Sequence, residues 1–101
     1  MEEKNMAVTV LAIIKAKSGM EAQVEKALRE LIEPTRQEPG CINYDLHVLL
    51  DDSTVFMFHE NWQSKEDLDE HLNKPYLENF LSQAETILAE PVIISLYEQI
   101  A

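Results

Sequence analysis

Residues 41–62 read CINYDLHVLLDDSTVFMFHENW, two runs in which apolar and polar residues alternate on either side of a short acidic break. Alternation with a period of two is typical of strands, so the stretch predicts a β-hairpin. A three-residue loop would set Leu50 opposite Thr54. The same register pairs the inner residues Val48 with Phe56, Leu46 with Phe58, Tyr44 with Glu60 and Ile42 with Trp62. A slip by one residue would scatter these side chains over both faces, so burial selects this register.

The segment ahead of the hairpin predicts one strand and one helix. Residues 8–15, VTVLAIIK, are apolar on both alternating faces and rich in β-branched side chains, which is typical of a strand. Ser18 and Glu21 have the S-x-x-E spacing of a capping box, so a helix is predicted to begin there. Its apolar stripe is Val24, Ala27, Leu28, Leu31 and Ile32. Pro34 cannot donate to the carbonyl of Glu30, and the helix should therefore kink there or end just before it.

Two further helices and a last strand are predicted after the hairpin. Ser64, with Asp67 three residues later, indicates an N-cap for a short acidic helix. Pro75 suits the first turn of the next helix, where an N–H has no intrahelical partner. The apolar stripe of that helix is Leu77, Phe80, Leu81, Ala84, Ile87 and Leu88. Residues 92–100 give the last strand.

The order strand, helix, strand, strand, helices, strand predicts a single α+β domain over residues 1–101. It is the split β-α-β arrangement of a ferredoxin-like sandwich, with helices on one face of a four-stranded antiparallel sheet. With 46% of its residues apolar, the chain can bury one core of ordinary size. The face away from the helices still carries more apolar surface than a lone domain leaves exposed. Its apolar residues are Leu11, Ile13, Ile93 and Tyr97, and we therefore expect a homodimer packed sheet against sheet.

The charge balance disfavours several classes of partner. The chain has 8 Lys and Arg against 19 Asp and Glu, a net charge of −11 that would repel a nucleic-acid backbone or an anionic membrane. No apolar run approaches the roughly 20 residues that a spanning helix needs. The first residues are acidic where a secretory signal is basic, and a lone Cys41 agrees with a reducing compartment. We expect a cytoplasmic protein that binds neither nucleic acid nor membrane.

The sequence contains no motif for a nucleotide or for a hydrolytic metal. It lacks a phosphate-binding loop, a dinucleotide-binding glycine turn, a nucleophile elbow and an H-E-x-x-H helix. The 3 His and 1 Cys lie on separate predicted elements without the spacing of metal ligands. Neither a metal nor a bound cofactor is predicted.

Glu60 is the most unusual residue of the hairpin. The register places its carboxylate between Phe58 and Trp62 on the face covered by helices, beside the phenol of Tyr44. Because an unpaired buried charge is costly, two interpretations are open. Glu60 is either a pocket acid of raised pKa that transfers protons or holds a substrate hydroxyl, or a carboxylate satisfied by Tyr44 or by a helix N-terminus.

His71 is the second candidate, on the apolar side of the acidic helix. It follows Asp67 by one turn, within reach of an orienting hydrogen bond unless Asp67 is occupied as a cap residue. A general base and a histidine at the edge of the core both fit this pattern. Trp62 and Phe80 could stack on a flat ring or fill the core. His47 falls on the mixed outer face, where surface or interface residues are expected.

Several stretches together resemble the antibiotic biosynthesis monooxygenase superfamily, especially its small quinol-oxidising branch. They are VTVLAIIKAKSG (8–19), IEPTRQEPGCINYDLH (32–47) and FHENWQSKEDLDEHLNKPYLENFL (58–81). The resemblance implies a dimeric α+β barrel in which each protomer has a pocket between its sheet and its second helical region. It also implies oxygenation of an electron-rich phenol or quinol by O2 without flavin, haem or metal.

The resemblance further implies roles for individual residues. His71 would be the base or hydroxyl anchor, with Glu60 and Tyr44 as its polar partners. The substrate ring would meet the remaining candidates, which are Trp62 as a wall, Phe80, Tyr76 and His47.

The chain departs from the family pattern at several positions. Haem-degrading relatives have an Asn on the first strand, where this chain has Ala12, and a His in the last helix, where residues 80–88 have none. A haem oxygenase is therefore disfavoured. Many quinol-type relatives have a His in place of Tyr76 and an Arg in place of Val48, so those two substrate anchors are missing here.

Three functions are open at this point. The first is a cofactor-independent monooxygenase that oxidises a quinol or polyphenolic aromatic. The second is an isomerase of a small hydroxycarbonyl metabolite, since an acid and a base in one pocket could also move a proton between carbons. The third is a dimeric ligand-binding or stress-response module without turnover. Fold alone cannot choose among them, because function belongs to the site.

Overall fold

The computed structural model describes residues 7–101, and the acidic N-terminal residues that argue against a secretory signal lie outside that range. Within it the elements are, in chain order, β1 (Val8–Lys15), α1 (Glu21–Arg29), α2 (Ile32–Arg36), β2 (Cys41–Leu49), β3 (Asp52–Trp62), α3 (Lys65–Leu72), α4 (Pro75–Ser82), α5 (Ala84–Ile87) and β4 (Ile93–Tyr97). None of these helices is long and apolar enough to cross a membrane.

The strands form one antiparallel sheet in the order β2-β3-β1-β4. Because β1 lies between β3 and β4, the chain crosses the sheet once between β1 and β2 and again between β3 and β4. Helices α1 and α2 fill the first crossover, and α3 to α5 fill the second. Both groups cover the face on which Val10, Ala12 and Ile14 of β1 are buried. The α+β split β-α-β fold predicted from the order of elements is confirmed.

The hairpin register is confirmed at its centre and wrong at the end near Cys41. The central pairs are the predicted ones, Val48 with Phe56, Leu46 with Phe58 and Tyr44 with Glu60. A bulge at Ile42 makes Cys41 the partner of Trp62, and Ile42 is exposed instead of buried. The Asn43 amide donates to the backbone carbonyl of His59 at 3.0 Å, which ties the strands together beside the bulge.

The turn of the hairpin is tighter than predicted. Leu49 pairs with Asp52, so the predicted pair of Leu50 with Thr54 does not form and Leu50 is exposed. The Asp52 carboxylate accepts hydrogen bonds from the Thr54 N–H and hydroxyl at 3.0 and 2.6 Å. These local side-chain bonds stabilise the start of β3 close to the turn.

The first crossover helix differs from its prediction at both ends. Ser18 does not cap α1, because Gly19 has a φ of 89° and the chain makes a turn before the helix begins at Glu21. Helix α1 ends before Pro34, and a separate short helix, α2, follows it. Pro34 is the third residue of α2, where the absence of an N–H costs no intrahelical hydrogen bond.

The second crossover begins as predicted, but it contains three helices where the sequence predicts two. The Ser64 hydroxyl accepts from the Asp67 N–H at 3.1 Å and donates to its carboxylate at 2.9 Å, which confirms the N-cap of α3. Pro75 is the first residue of α4, as predicted. The sequence predicts one helix from Pro75 onward, whereas the structure has two, α4 and α5. Helix α4 ends at Ser82, whose hydroxyl donates to the Asn79 carbonyl at 2.7 Å. The last strand is shorter than predicted, with its pairing to β1 ending at Tyr97.

The outer face of the sheet combines polar and apolar side chains. The Thr9 hydroxyl donates to the Asn61 amide oxygen at 2.5 Å, and the Asn61 amide nitrogen donates to the Asn43 amide oxygen at 2.8 Å. The Asn43 amide nitrogen donates to the Asp45 carboxylate at 3.0 Å. We call these four residues the outer polar chain. Beside it two large side chains of β4 are about half exposed, Ile93 at 54% and Tyr97 at 52%.

Candidate active site

A group of polar side chains is buried between the sheet and the helices. Tyr44 comes from β2, Glu60 from β3 and His71 from α3, and all three line the same cavity. Glu60 is 4% exposed and His71 is 2% exposed. The structure therefore brings together the three residues that the sequence selected as catalytic candidates.

The cavity is apolar apart from these three residues and is small. Its volume is about 40 Å³, which is room for a few water molecules but not for an aromatic ring. Its apolar lining includes Phe58, Leu68, Leu77 and Phe80. Leu81 of α4 and Ile94 of β4 also line it and are exposed, so the cavity opens between α4 and β4. A ring-sized guest must push side chains apart at this opening.

Glu60 has a partner that the sequence did not suggest. The Trp62 indole N–H donates to its carboxylate at 2.9 Å. Burial raises the pKa of Glu60 to about 7, the Trp62 hydrogen bond opposes that rise, and the nearby Glu38 charge adds to it. Glu60 is therefore an acid that changes protonation near neutral pH, as the first of the two interpretations of this residue requires.

His71 is oriented by Glu38 and not by Asp67. Its Nδ1 lies 3.0 Å from Oε2 of Glu38, a residue of the loop between α2 and β2. The Asp67 carboxylate is occupied by Ser64, and it packs so closely on Gly40 that a Cβ at Gly40 would lie 2.2 Å from its Cγ. Burial lowers the pKa of His71, while the hydrogen bond and the charge of Glu38 oppose that change.

Aromatic rings hold the imidazole of His71 from two sides. The Trp62 ring lies 4.6 Å from it between centroids, and the Tyr44 ring lies 5.4 Å away in an edge-on arrangement. Tyr44 in turn stacks on Phe58 at 4.3 Å. Burial, and next the charge of Glu60, raise the pKa of Tyr44, so its phenol stays a proton donor.

Glu38 is the residue of the buried cluster that sequence reasoning missed. It is buried, and its Oε2 also accepts a hydrogen bond from the Tyr76 hydroxyl of α4. The Thr35 hydroxyl of α2 is buried nearby without a hydrogen-bond partner of normal geometry, yet it is close enough to oppose the rise in the pKa of Tyr44 and Tyr76. The signal was present in the sequence, since Glu38 begins the E-P-G-C run within one of the stretches that resemble the family.

The remaining candidate residues lie at different distances from the cavity. Phe80 lines it, as the prediction of a ring contact requires. Trp62 is fully buried behind His71 and does not line it, and Tyr76 contacts Glu38 instead. His47 is exposed on the opposite side of the sheet, with its Nδ1 3.2 Å from the Asp45 carbonyl oxygen. Within residues 7–101 no group of three or more His, Cys, Asp or Glu side chains is placed to hold a metal ion.

The fold and this buried cluster define a small α+β protein with an apolar cavity and a carboxylate-bound histidine at its wall. A sequence model of the family described as antibiotic biosynthesis monooxygenase matches residues 7–83. The chain belongs to this family, as the resemblance in its sequence indicated.

Three relatives are similar to this chain in sequence or in structure. The protein named "Putative monooxygenase Rv0793" from Mycobacterium tuberculosis is 32% identical over 88 residues, which cover 87% of this chain and 86% of that protein. The Synechocystis protein sll1783 is 32% identical over 91 residues, 90% of this chain, and the match spans only 62% of the relative's length. The crystal structure of PA3566 from Pseudomonas aeruginosa has a TM-score of 0.91 and 32% identity, covering 99% of this chain and 100% of that one.

Proposed function

We propose that this protein is a cofactor-independent monooxygenase that oxidises a quinol or polyphenolic aromatic with O2. The proposal rests on His71, whose imidazole is held at Nδ1 by the Glu38 carboxylate and borders an apolar cavity shared with Tyr44 and Glu60. Membership of the monooxygenase family and the name of the mycobacterial relative support oxygenation as the reaction class.

The reaction begins when Nε2 of His71 removes a phenolic proton from the substrate. The O–H bond breaks, an N–H bond forms, and the electron-rich phenolate passes one electron to O2. The resulting radical pair couples into a peroxide at a ring carbon, and the proton held on His71 completes the hydroperoxide. Loss of water then leaves a carbonyl at that carbon. One oxygen atom enters the product and the other leaves as water, with all four electrons supplied by the substrate. The protein has only to remove the phenolic proton, orient the substrate and exclude water from it.

The other polar groups of the cavity form hydrogen bonds with the oxygen atoms of the substrate or transfer protons to them. Glu60 has a pKa of about 7. When ionised it accepts a hydrogen bond from a substrate hydroxyl, and when neutral it donates a proton to the leaving oxygen. The Tyr44 phenol stays protonated and donates to a developing oxyanion. Trp62 acts from behind the cavity, by its hydrogen bond to Glu60 and its contact with the His71 ring.

The cavity favours a flat, neutral ring that carries few hydroxyls. Its walls are apolar apart from Tyr44, Glu60 and His71, so each substrate hydroxyl needs one of these partners. An anionic substrate is disfavoured by the net charge of −11. The ring enters between α4 and β4 and displaces Phe80 and Leu81. In the closed site these two side chains exclude water.

We also propose that the protein works in the cytoplasm as a homodimer packed sheet against sheet. The half-exposed Ile93 and Tyr97 on the outer face support the dimer. Burial raises the pKa of the lone Cys41 thiol to about 11, which suits a cysteine that stays reduced.

Oxygen uptake tests the proposed activity. A naphthoquinone such as menadione is reduced without air, protein is added, and O2 consumption is followed for wild type, His71→Ala and His59→Ala. We expect His71→Ala to lower the rate by about 100-fold or more, the usual effect of losing a general base. His59→Ala removes an imidazole from the outer face of the same sheet and should change the rate by less than about threefold.

The alternatives give different results in the same preparation. Uptake that His71→Ala leaves unchanged would remove the assigned base. Binding of aromatics without uptake would indicate a ligand-binding module. Proton exchange into a small hydroxycarbonyl compound without O2 would indicate an isomerase.

A further inference from the structure

A short hydrogen-bonded chain leads away from the cavity on the far side of His71. Nδ1 of His71 lies 3.0 Å from Oε2 of Glu38, and the Tyr76 hydroxyl donates to that same oxygen. Glu38 and Tyr76 do not line the cavity, so neither would touch a substrate there. Their contacts join the loop before β2, helix α3 and helix α4 at one carboxylate oxygen.

The other two carboxylates near His71 are held by other partners, and neither is hydrogen-bonded to the imidazole. The Glu60 carboxylate accepts from the Trp62 indole, and the Asp67 carboxylate accepts from the Ser64 hydroxyl. A buried carboxylate on one imidazole nitrogen fixes the proton there and leaves the other nitrogen as the base.

We propose that Glu38 and Tyr76 are positioning residues with opposite effects on His71, an inference that rests on the proposed function. Glu38 keeps the neutral imidazole in the Nδ1–H form and balances the positive charge that appears when Nε2 takes the phenolic proton. Tyr76 donates to the same oxygen and draws charge from it, which weakens the hold of Glu38 on the imidazolium. The pair sets how readily His71 gains and then releases a proton.

Several titratable groups surround His71, and their effects differ in sign. They are the carboxylates of Glu38 and Glu60, the phenols of Tyr44 and Tyr76, and the ammonium of Lys74. Burial lowers the pKa of His71, Glu38 raises it, and Lys74 lowers it. Loss of the Glu38 charge is therefore expected to leave the neutral imidazole more strongly favoured.

The test follows the His71 ring directly by nitrogen NMR of the protein without substrate. Glu38→Gln should lower the pKa of His71 by about one unit or more and populate the Nε2–H form, since a carboxamide can also donate. Tyr76→Phe should raise that pKa by a few tenths of a unit, roughly the effect of one lost neutral donor. Glu38→Asp keeps the charge and should restore part of the wild-type value. Glu33→Gln, an exposed glutamate on the neighbouring helix α2, is the matched control and should change nothing.

Kinetics provide a second readout that a merely structural role would not produce. Glu38→Gln should lower kcat by about tenfold or more and change KM by less than about threefold, because Glu38 acts on the base and not on the substrate. An unchanged tautomer and pKa of His71 in Glu38→Gln would overturn the inference, whatever the activity. If Glu38→Gln does not fold, Tyr76→Phe decides the matter. A Tyr76→Phe variant in which the pKa of His71 is lowered or unchanged would also overturn the inference. Absence of O2 uptake in wild type would overturn the proposed function alone, since the NMR readout needs no turnover.

Discussion

The two faces of the sheet carry polar side chains under opposite conditions. On the outer face, the residues of the outer polar chain bond to one another across three strands, and solvent reaches them. On the inner face, Glu60 and His71 are buried among apolar side chains and bond to Trp62 and Glu38 respectively. Alternation sends neighbouring side chains of the same strands to opposite faces, and the helices cover only the inner face, so the two environments differ.

The difference shows how burial in this fold shifts protonation equilibria. A buried polar group with few partners loses hydration that its partners only partly replace, and its protonation equilibrium shifts. Burial accordingly raises the pKa of Glu60 and lowers that of His71, which brings an acid and a base toward the same pH range. Such pairs are typical of functional sites, and the outer polar chain has no such pair.

The largest expected difference between the faces is in the pH dependence of stability. Glu60 has a pKa of about 7 in the fold against 4.5 ordinarily, so its contribution is complete below pH 4.5 and is lost as the pH rises through 7. This loss amounts to about 3 kcal/mol of unfolding free energy. Glu60→Gln should remove it, which urea denaturation between pH 4.5 and pH 8 would measure as a flatter profile.

The outer-face control is Asp45→Asn, which should change the profile by less than about 0.5 kcal/mol. His71 acts in the opposite direction, since its lowered pKa contributes stability that is lost as the pH falls. Glu60 and His71 line one cavity, so the difference between the wild-type and Glu60→Gln profiles contains Glu60 together with any coupling to His71. A Glu60→Gln protein that kept the full wild-type slope would show that Glu60 is not the source of this pH dependence.

Most of the inner cluster could be predicted from the sequence, but Glu38 could not. Alternation along the hairpin placed Tyr44 opposite Glu60, because one buried face fixes a strand's register. Glu38 could not be found this way, since its contact with His71 joins residues 33 apart in the chain. That contact depends on the loop approaching α3 at Gly40, a tertiary contact that no local period encodes.

The order of elements was predictable from periodicity as well, but the ends of individual helices and strands were not. The order of strands and helices follows from periodicity, which many residues specify together. Each wrong boundary depends on one residue, such as the turn at Gly19, the bulge at Ile42 or the hydroxyl of Ser82. Single local contacts of this kind leave little trace in a pattern.

A second prediction concerns the apolar part of the outer face. Asp45 is the acid on the central part of this face, and the outward pairs of β1 and β4 are uncharged, so two such faces can meet without strong repulsion. These pairs are Thr9 with Tyr97, Leu11 with Ser95 and Ile13 with Ile93. Ile93→Asp would place a second carboxylate in the proposed interface. We expect it to weaken the dimer roughly 30-fold, about 2 kcal/mol, as measured by light scattering over a dilution series.

The matched control is Ile100→Asp, the same change beyond the end of β4, where the side chain is 90% exposed. It should leave the dimer unchanged. A wild-type protein that stays monomeric at every concentration would contradict the proposed dimer, and the apolar residues of this face would then need another explanation.

The smallest expected effect comes from the end of the outer polar chain. Thr9→Val keeps the shape of the side chain and removes the hydrogen bond to Asn61, which should lower the unfolding free energy by about 0.5–1 kcal/mol. Thr86→Val, an exposed threonine of α5, is the control. Oxygen uptake should be unchanged, because Thr9 points away from the cavity that its neighbour Val10 lines. A loss of activity in Thr9→Val without a change in dimer content would mean that the two faces are coupled through β1, and that the outer polar chain helps to position the buried site.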